Sequence, residues 1–219
     1  MTRLTNSSLF NIKQYFLQQL FTKTTYPWEI IPIIKDYIAE LINTGIKGYT
    51  LMGKSILIGE GVKIHDSAVI EGPAIIGSHS ELRTGAYLRN NVIISEGCVI
   101  GNSTEIKNSI LLDFAKAPHY NYIGDSIIGN RAHLGAGAIC SNLKTDKSNI
   151  VIRCGEGIET GLRKLGAIIA DDVEIGCGCV MNPGTVVGKG SSAYPLSSLR
   201  GVYPAECIIK SGTHFTSRL

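Results

Sequence analysis

Large aliphatic residues recur every six positions along most of this chain, and few folds accommodate that period. Counting from Ile58, every sixth residue is isoleucine or leucine: Ile64, Ile70, Ile76, Leu82, Leu88, Ile94, Ile100, Ile106 and Leu112. Two residues before these stand small or β-branched ones, among them Val62, Ala68, Ala74, Ser80, Ala86 and Cys98. The register returns at Ile128 and Leu134, and again from Ile169 through Ile175, Met181, Val187, Ala193 and Leu199. A helix repeats at 3.6 residues and a plain strand at 2, so a unit of six reads as a short strand followed by a turn. Three units close a triangular coil of about 18 residues. About 20 such units give six to seven coils, or roughly 32 Å of solenoid at about 4.8 Å per coil.

The solenoid gives the composition a meaning. Glycine supplies 25 of 219 residues while only 18% are charged. Corners account for the first figure, with Gly59, Gly77, Gly97, Gly101, Gly129, Gly135, Gly176 and Gly188 at or near the turns, and interior positions for the second. An apolar fraction of 44% excludes a disordered chain, and a scattered net charge of +3 gives no footprint for nucleic acid. No apolar run approaches the roughly 20 residues that cross a bilayer. Arg3, Asn11, Lys13, Gln14, Gln18 and Gln19 interrupt the start of the chain where a signal peptide would need an apolar core. A soluble, cytoplasmic protein is expected. Six cysteines in a chain of this length read as small buried side chains in a reducing compartment. Cys177 and Cys179 lack a second pair at zinc-site spacing, and no metal is expected.

Residues 1–50 have a different pattern. Leu9, Phe10, Ile12, Phe16, Leu17, Leu20 and Phe21 follow helical spacing after Asn6-Ser7-Ser8. A second helix is expected from Pro27 through Ile30, Ile31, Ile34, Ile38, Leu41 and Ile42 to Gly45. Two helices capping the open end of a solenoid over 51–205, with a tail at 206–219, is the expected organisation. Trp28 by itself does not argue for a substrate-binding role of these helices.

Two stretches break the period, at 113–122 and at 142–168, and are expected to leave the coil. Excursions can wall a cavity, which a regular coil lacks. In the first lies His119, whose residue type suits proton transfer near neutral pH and equally suits an exposed loop. Arg89 and Lys107 stand 18 residues apart, in one column on adjacent coils. At about 5 Å they would repel by about 3 kcal/mol at an effective dielectric near 20. They either splay into water or share an anion, and Glu71, 18 residues before Arg89, offers an ordinary ion pair as the competing account.

The segments Asn102-Ser103-Thr104-Glu105-Ile106-Lys107, Pro118-His119-Tyr120-Asn121-Tyr122-Ile123-Gly124-Asp125, Leu134-Gly135-Ala136-Gly137 and Cys140-Ser141-Asn142 resemble a known family. It is the acetyltransferase domain of the bifunctional N-acetylglucosamine-1-phosphate uridyltransferase/glucosamine-1-phosphate acetyltransferase. Gly161-Leu162-Arg163-Lys164-Leu165-Gly166-Ala167-Ile168-Ile169 is closer to the archaeal sugar-1-phosphate nucleotidyltransferases with an acetyltransferase tail. The likeness covers roughly 55–205. It implies a mainly β, left-handed parallel β-helix of the hexapeptide-repeat type, a homotrimer with acyl-donor sites between subunits, and acetyl-CoA as co-substrate. It further implies His119 as general base and Asn142 beside the amine and the acyl group. Arg89, Lys107 and Tyr122 would hold a sugar phosphate with Lys164. His133 falls where the bacterial enzymes usually place Asn, which bears on sugar preference. Ala136, Leu143, Cys177 and Pro195 would line the acyl-donor channel. Nothing in the chain resembles the glycine-rich nucleotide-binding signature of the uridyltransferase half, so pyrophosphorylase activity is not expected.

The implied reaction moves acetyl from acetyl-CoA to the amine of a hexosamine-1-phosphate. An amine attacking a thioester must lose a proton, and the oxyanion needs a donor such as a backbone N–H near Gly135-Ala136-Gly137. No nucleophilic triad or reactive Cys arrangement is evident, which favours direct transfer. Two other readings remain. One is a non-catalytic β-helix that binds a nucleotide sugar or regulates a separate nucleotidyltransferase. The other is a zinc hydratase of the same fold, disfavoured because His65, His79, His119, His133 and His214 form no H-x-x-x-x-H pair.

Overall fold

The structure, a computed structural model, describes residues 4–212 and 214–217. Short strands wind into a parallel β-solenoid, in accord with the left-handed β-helix that the resemblance implies. Strands of the first face include Ala74–Ile76, Val92–Ile94, Ser109–Leu111 and Ala167–Ile169; those of the second, Glu81–Leu82, Val99–Asn102, Lys116–His119 and His133–Leu134. The third face stacks seven strands, from Val69–Ile70 through Glu105–Lys107 and Tyr122–Gly124 to Ser198–Leu199. The solenoid therefore completes seven turns, and Val202–Tyr203 and Cys207–Ser211 begin an eighth. Cys207–Ser211 pairs in parallel with Ser192–Ala193, so part of the expected 206–219 tail belongs to the coil. Antiparallel strands close the two ends of the stack, Tyr49–Met52 on Ile56–Gly59 and His214–Ser217 on Cys207–Ser211. Both cover edges that would otherwise template further pairing.

The interior column places Ile76, Ile94, Leu111, Ile128, Ile169 and Val187 above one another on the first face. That register corrects the reading of 113–122. This stretch does not leave the solenoid: Lys116–His119 pairs with the strands above and below, and so does Tyr122–Gly124. The period slips because two corners are each one residue short, from Ile106 to Leu111 and from Ile123 to Ile128. The interior residue is thus Leu111, not Leu112. Residues 142–166 do leave the coil, carrying a two-stranded hairpin of Val151–Ile152 and Ile158–Glu159.

Steps from the first face to the second, and from the second to the third, are six residues in every turn; every change of length falls at the third corner, between third and first faces. The first corner shows why two corners are fixed. Gly61, His79, Gly97, Phe114, Arg131, Asp172, Gly190 and Glu206 occupy the same position in successive turns, all with positive φ. A Cβ on Gly97 would lie 2.5 Å from the Phe114 ring, and one on Gly61 2.7 Å from the His79 ring. His79, Phe114 and Glu206 lie over the glycine of the preceding turn, and Arg131 pairs with Asp172 of the next; adding or removing a residue would break that alignment.

The N-terminal segment does not cap the open end. It lies along the first face, whose outward residues Ile75, Ile93, Ile110, Ile127 and Ile168 are all fully buried. Its first helix is also split, into Asn6–Leu9 and Tyr15–Thr22. Residues 9–11 instead bond to the first corner: Asp171 N donates to Leu9 O at 3.2 Å, Asn11 N to Asp171 Oδ2 at 2.8 Å, and Asn130 Nδ2 to Asn11 O at 3.0 Å. After two short 3-10 turns, Pro27–Glu29 and Ile31–Ile33, the helix Ile34–Thr44 buries Ile34, Tyr37, Ile38 and Leu41 and stops at Gly45, φ 76°. Trp28 is buried and stacks on Tyr26. No helix among the described residues is long and apolar enough to cross a membrane.

Ile93→Ala should therefore cost about 2–4 kcal/mol in urea unfolding, as a buried core truncation does. Val69→Ala, outward on the bare third face, should stay within about 0.5 kcal/mol. Equal effects would show that the first face is not sheathed.

Candidate functional site

Two groups of side chains flank the third face. At its near edge, the second corner, the register stacks His119 on Asn102 and continues the same column through Ala136, Cys177 and Pro195. At its far edge, one residue past each interior position, the column reads Glu71, Arg89, Lys107, Gly124, Ser141, Asn182 and Arg200. Five residues separate the edges, and the chain turns among them at Tyr120, φ 52°, so the edges lie closer than the roughly 16 Å of a fully extended run.

His119 is exposed, and its corner is held by Asn121. Buried Asn121 accepts from His119 N at 3.2 Å and donates to Gly135 O at 2.8 Å. Its own N–H donates to Thr104 Oγ1 at 3.2 Å. Gly137 N donates to His119 O at 3.0 Å and Gly135 N to Ile175 O at 2.7 Å, which leaves Ala136 N–H as the amide of that turn with no main-chain acceptor among the described residues. The position just before this column is closed to side chains. A Cβ on Gly135 would lie 2.6 Å from Cys177 N, and one on Gly176 2.5 Å from Pro195 N. Cys177 is exposed, whereas Cys98 and Cys140 are buried and desolvation pushes their thiols up to about 12. No disulfide forms among the described residues.

The far edge is organised by Asp125, 4% exposed, with φ 48° in one of the two shortened corners. Its carboxylate accepts from Asn108 Nδ2 at 2.8 Å and from Asn142 Nδ2, and Lys107 Nζ stands 3.7 Å away. Arg89 pairs with Glu105 at 3.0 Å, while Glu71 accepts from the Tyr87 hydroxyl. The Glu71–Arg89 pair offered by spacing is thus not formed, and each cation has its own carboxylate. The Tyr122 hydroxyl and Asn142 Nδ2 both press on Gly124, where a Cβ would approach each to 2.7 Å. Burial, then the Glu105 and Asp125 carboxylates, raise the Tyr122 phenol above its ordinary value, so it stays a neutral donor. Beside this cluster a cavity of about 430 Å³ is lined by Asn108, Asp125, Leu162, Arg163 and Lys164, and by Ile31 and Pro32 of the N-terminal segment. Asn108 also reaches Ile31 O at 3.4 Å.

Arg89, Lys107, Tyr122, Asn142 and Lys164 therefore share the far edge, and His119, Ala136, Cys177 and Pro195 the near one. Two residues do not join the group the sequence assigned them. Leu143 bridges to Lys164 at the third corner, across the face from the column of Ala136, Cys177 and Pro195. His133 points outward from the second face and meets Glu174 at 2.9 Å. Asp125, Asn108 and Asn121 were missed because their roles depend on the shortened corners and buried turns, which a six-residue register hides. Among the described residues no three His, Cys, Asp or Glu side chains converge as a metal site.

Seven triangular turns with a side excursion at one corner define a hexapeptide-repeat β-helix. The chain belongs to the GMPPB C-terminal domain family, whose model matches residues 70–191 and so takes in both edges of the third face. Among curated proteins, the bifunctional protein GlmU of Methanococcus aeolicus is 36% identical over 185 residues, 83% of this chain and 45% of that protein. The GlmU of Methanocaldococcus jannaschii is 36% identical over 167 residues, 74% of this chain and 41% of the relative. The bifunctional sugar-1-phosphate nucleotidylyltransferase/acetyltransferase of Sulfurisphaera tokodaii is 36% identical over 94 residues, 42% of this chain and 23% of the relative. The chain spans less than half the length of these relatives.

Removing the Asp125 carboxylate should strand a half-buried ammonium and two amides. Asp125→Ala is expected to cost about 2–4 kcal/mol by urea unfolding. Asp172→Ala, on the half-exposed Arg131 pair, should cost less than about 1 kcal/mol. In iodoacetamide labelling followed by mass spectrometry, Cys177 should react in the native protein, and Cys98 and Cys140 only after denaturation.

Proposed function

We propose that this chain is an N-acetyltransferase that moves acetyl from acetyl-CoA to the amine of a hexosamine-1-phosphate. The observation that carries the reading is the division of the third face: an exposed histidine above a column of small corner residues at one edge, and a cation, phenol and amide cluster beside a cavity at the other. Lys107, Arg89, Tyr122 and Lys164 suit a sugar phosphate, which takes charge-assisted hydrogen bonds from each. Asn142, fixed on Asp125, is placed to orient the amine. The column of Ala136, Cys177 and Pro195 suits an extended thioester arm that needs close approach to backbone.

In the proposed reaction the amine nitrogen attacks the thioester carbonyl carbon while His119 accepts the proton. The carbonyl oxygen gains negative charge, and the Ala136 N–H is the donor suited to it. Collapse of the tetrahedral intermediate re-forms the carbonyl, breaks the carbon–sulfur bond and releases CoA, whose sulfur takes up a proton. No covalent acyl-enzyme is needed.

On one chain His119 and Asn142 stand toward opposite edges of the third face, so a second copy that apposes the two edges would shorten the path from base to amine. A homotrimer in which one copy's His119 edge meets its neighbour's Asp125 edge supplies both halves. Exposed apolar residues support this arrangement: Tyr120, Leu196, Tyr194 and Ile139 cluster on and beside the third face, whereas the first face is already covered.

Thiol release from acetyl-CoA, measured against a panel of amino-sugar 1-phosphates, tests the reading. His119→Ala should lower kcat by about 10²–10⁴-fold, and Lys107→Ala should raise the acceptor KM. An unchanged rate in His119→Ala, or a monomer by analytical ultracentrifugation at full activity, would sink it.

A further inference from the structure

The third corner holds two arginines that the acetyl-transfer reading does not use. Six arginines lie among the described residues. Arg83, Arg89 and Arg131 each pair with a carboxylate, and among the described residues Arg153, Arg163 and Arg200 do not. All three unpaired ones line cavities beside the excursion. Arg163 belongs to the cavity already described, whereas Arg153 and Arg200 stand together elsewhere. Arg153 follows the hairpin strand Val151–Ile152, and Arg200 follows Ser198–Leu199 on the last full turn. The Arg153 Cβ lies 3.8 Å from where a Cβ on Gly201 would sit, so excursion and coil touch at this point.

Both arginines line two cavities at once. One is a polar groove of about 770 Å³ that includes Ser141, Thr145 and Asn182. The other, about 250 Å³, is walled by Val202, Tyr203 and Phe215, whose rings meet edge to face at 5.9 Å. Tyr203 is pinned: its hydroxyl donates to Gly212 O and accepts from Arg200 N at 3.0 Å, which fixes the main chain beneath the Arg200 side chain. Other charges of the groove are largely engaged. Lys144 Nζ donates to Asn149 O and Ser148 Oγ, and Asp146 accepts from Ser148 N and Oγ, which lowers its pKa below the usual range. Glu156 is the remaining carboxylate, and it suits a ligand that carries hydroxyls beside its phosphates.

We propose that Arg153 and Arg200 form a nucleoside-diphosphate site. The diphosphate lies between the two guanidinium forks, whose planar donors match phosphate oxygens two at a time. The base stacks on Phe215 at the aromatic side, and the polar groove takes whatever sugar follows the second phosphate. The site is separate from the acceptor cluster at Asp125 and does not depend on the acetyl-transfer reading.

Isothermal titration of the full chain with UDP and with inorganic pyrophosphate tests it. Both should bind; the double variant Arg153→Met, Arg200→Met should weaken both at least tenfold without changing the ligand-free Tm, and Phe215→Leu should weaken UDP alone. Absence of binding, or equal binding by the double variant, overturns the site. CoA provides the second arm: displacement of UDP by CoA, together with a raised acetyl-CoA KM in the double variant, would assign the diphosphate contact to the acyl donor and overturn a separate nucleotide site.

Discussion

Each turn of this molecule is held by main-chain hydrogen bonds to the turn above and the turn below, so vertical alignment is the constraint on which the rest depends. The bonds form only if equivalent residues stay in step through seven turns. Two features hold the step. Interior aliphatics stack in columns, and at the first two corners a side chain on one turn lies against a glycine on the next, as Phe114 does on Gly97 and Leu196 on Gly178. Eight of these fourteen left-handed corner positions are occupied by residues other than glycine, with Phe114 and Leu196 among them. Such residues adopt positive φ at some cost, and here the corner geometry is set by the stack and not by the local preference of the residue.

Much of the fold was legible because stacking writes itself into the sequence as a period. Ile58 through Ile106 could be counted off, and the columns of Arg89 with Lys107 fell where spacing put them. What spacing could not show was a missing residue. Deleting one position at Lys107-Asn108-Ser109 shifts the phase without removing a strand, and from sequence that is indistinguishable from an insertion until pairing partners are known. The lateral placement of residues 4–46 was hidden for a different reason. Ile75, Ile93 and Ile110 are middle residues of three-residue apolar strands, and their hydrophobicity signals that the first face is covered without saying by what. A solenoid with one wholly apolar outer face must bury it, and the chain's own helices are the element available.

The candidate site is legible to the same degree and for the same reason. Residues on regular positions, His119, Ala136, Cys177 and Pro195, fell into one column. Those whose neighbours depend on the irregular corner did not. Leu143 and His133 were assigned by likeness, as Ala136, Cys177 and Pro195 were, but the register turns one toward Lys164 and the other toward Glu174. Asn121 and Asp125 carry no periodic signature, yet each is buried and makes several hydrogen bonds. Both hold the exposed groups around them in place.

Changes in turn length have a consequence for how such a protein can vary. Two of its three edges show only six-residue steps, and along them the corner residues of successive turns stay in register. The third edge has accepted steps of five and four residues and one excursion of more than twenty. It therefore behaves as a seam. Length can be added or removed there without unpicking the stack. Asp125, Asn142, Lys164, Arg153 and Arg200 all lie along this seam, so new recognition surfaces can arise beside old ones while the scaffold that presents them stays unchanged.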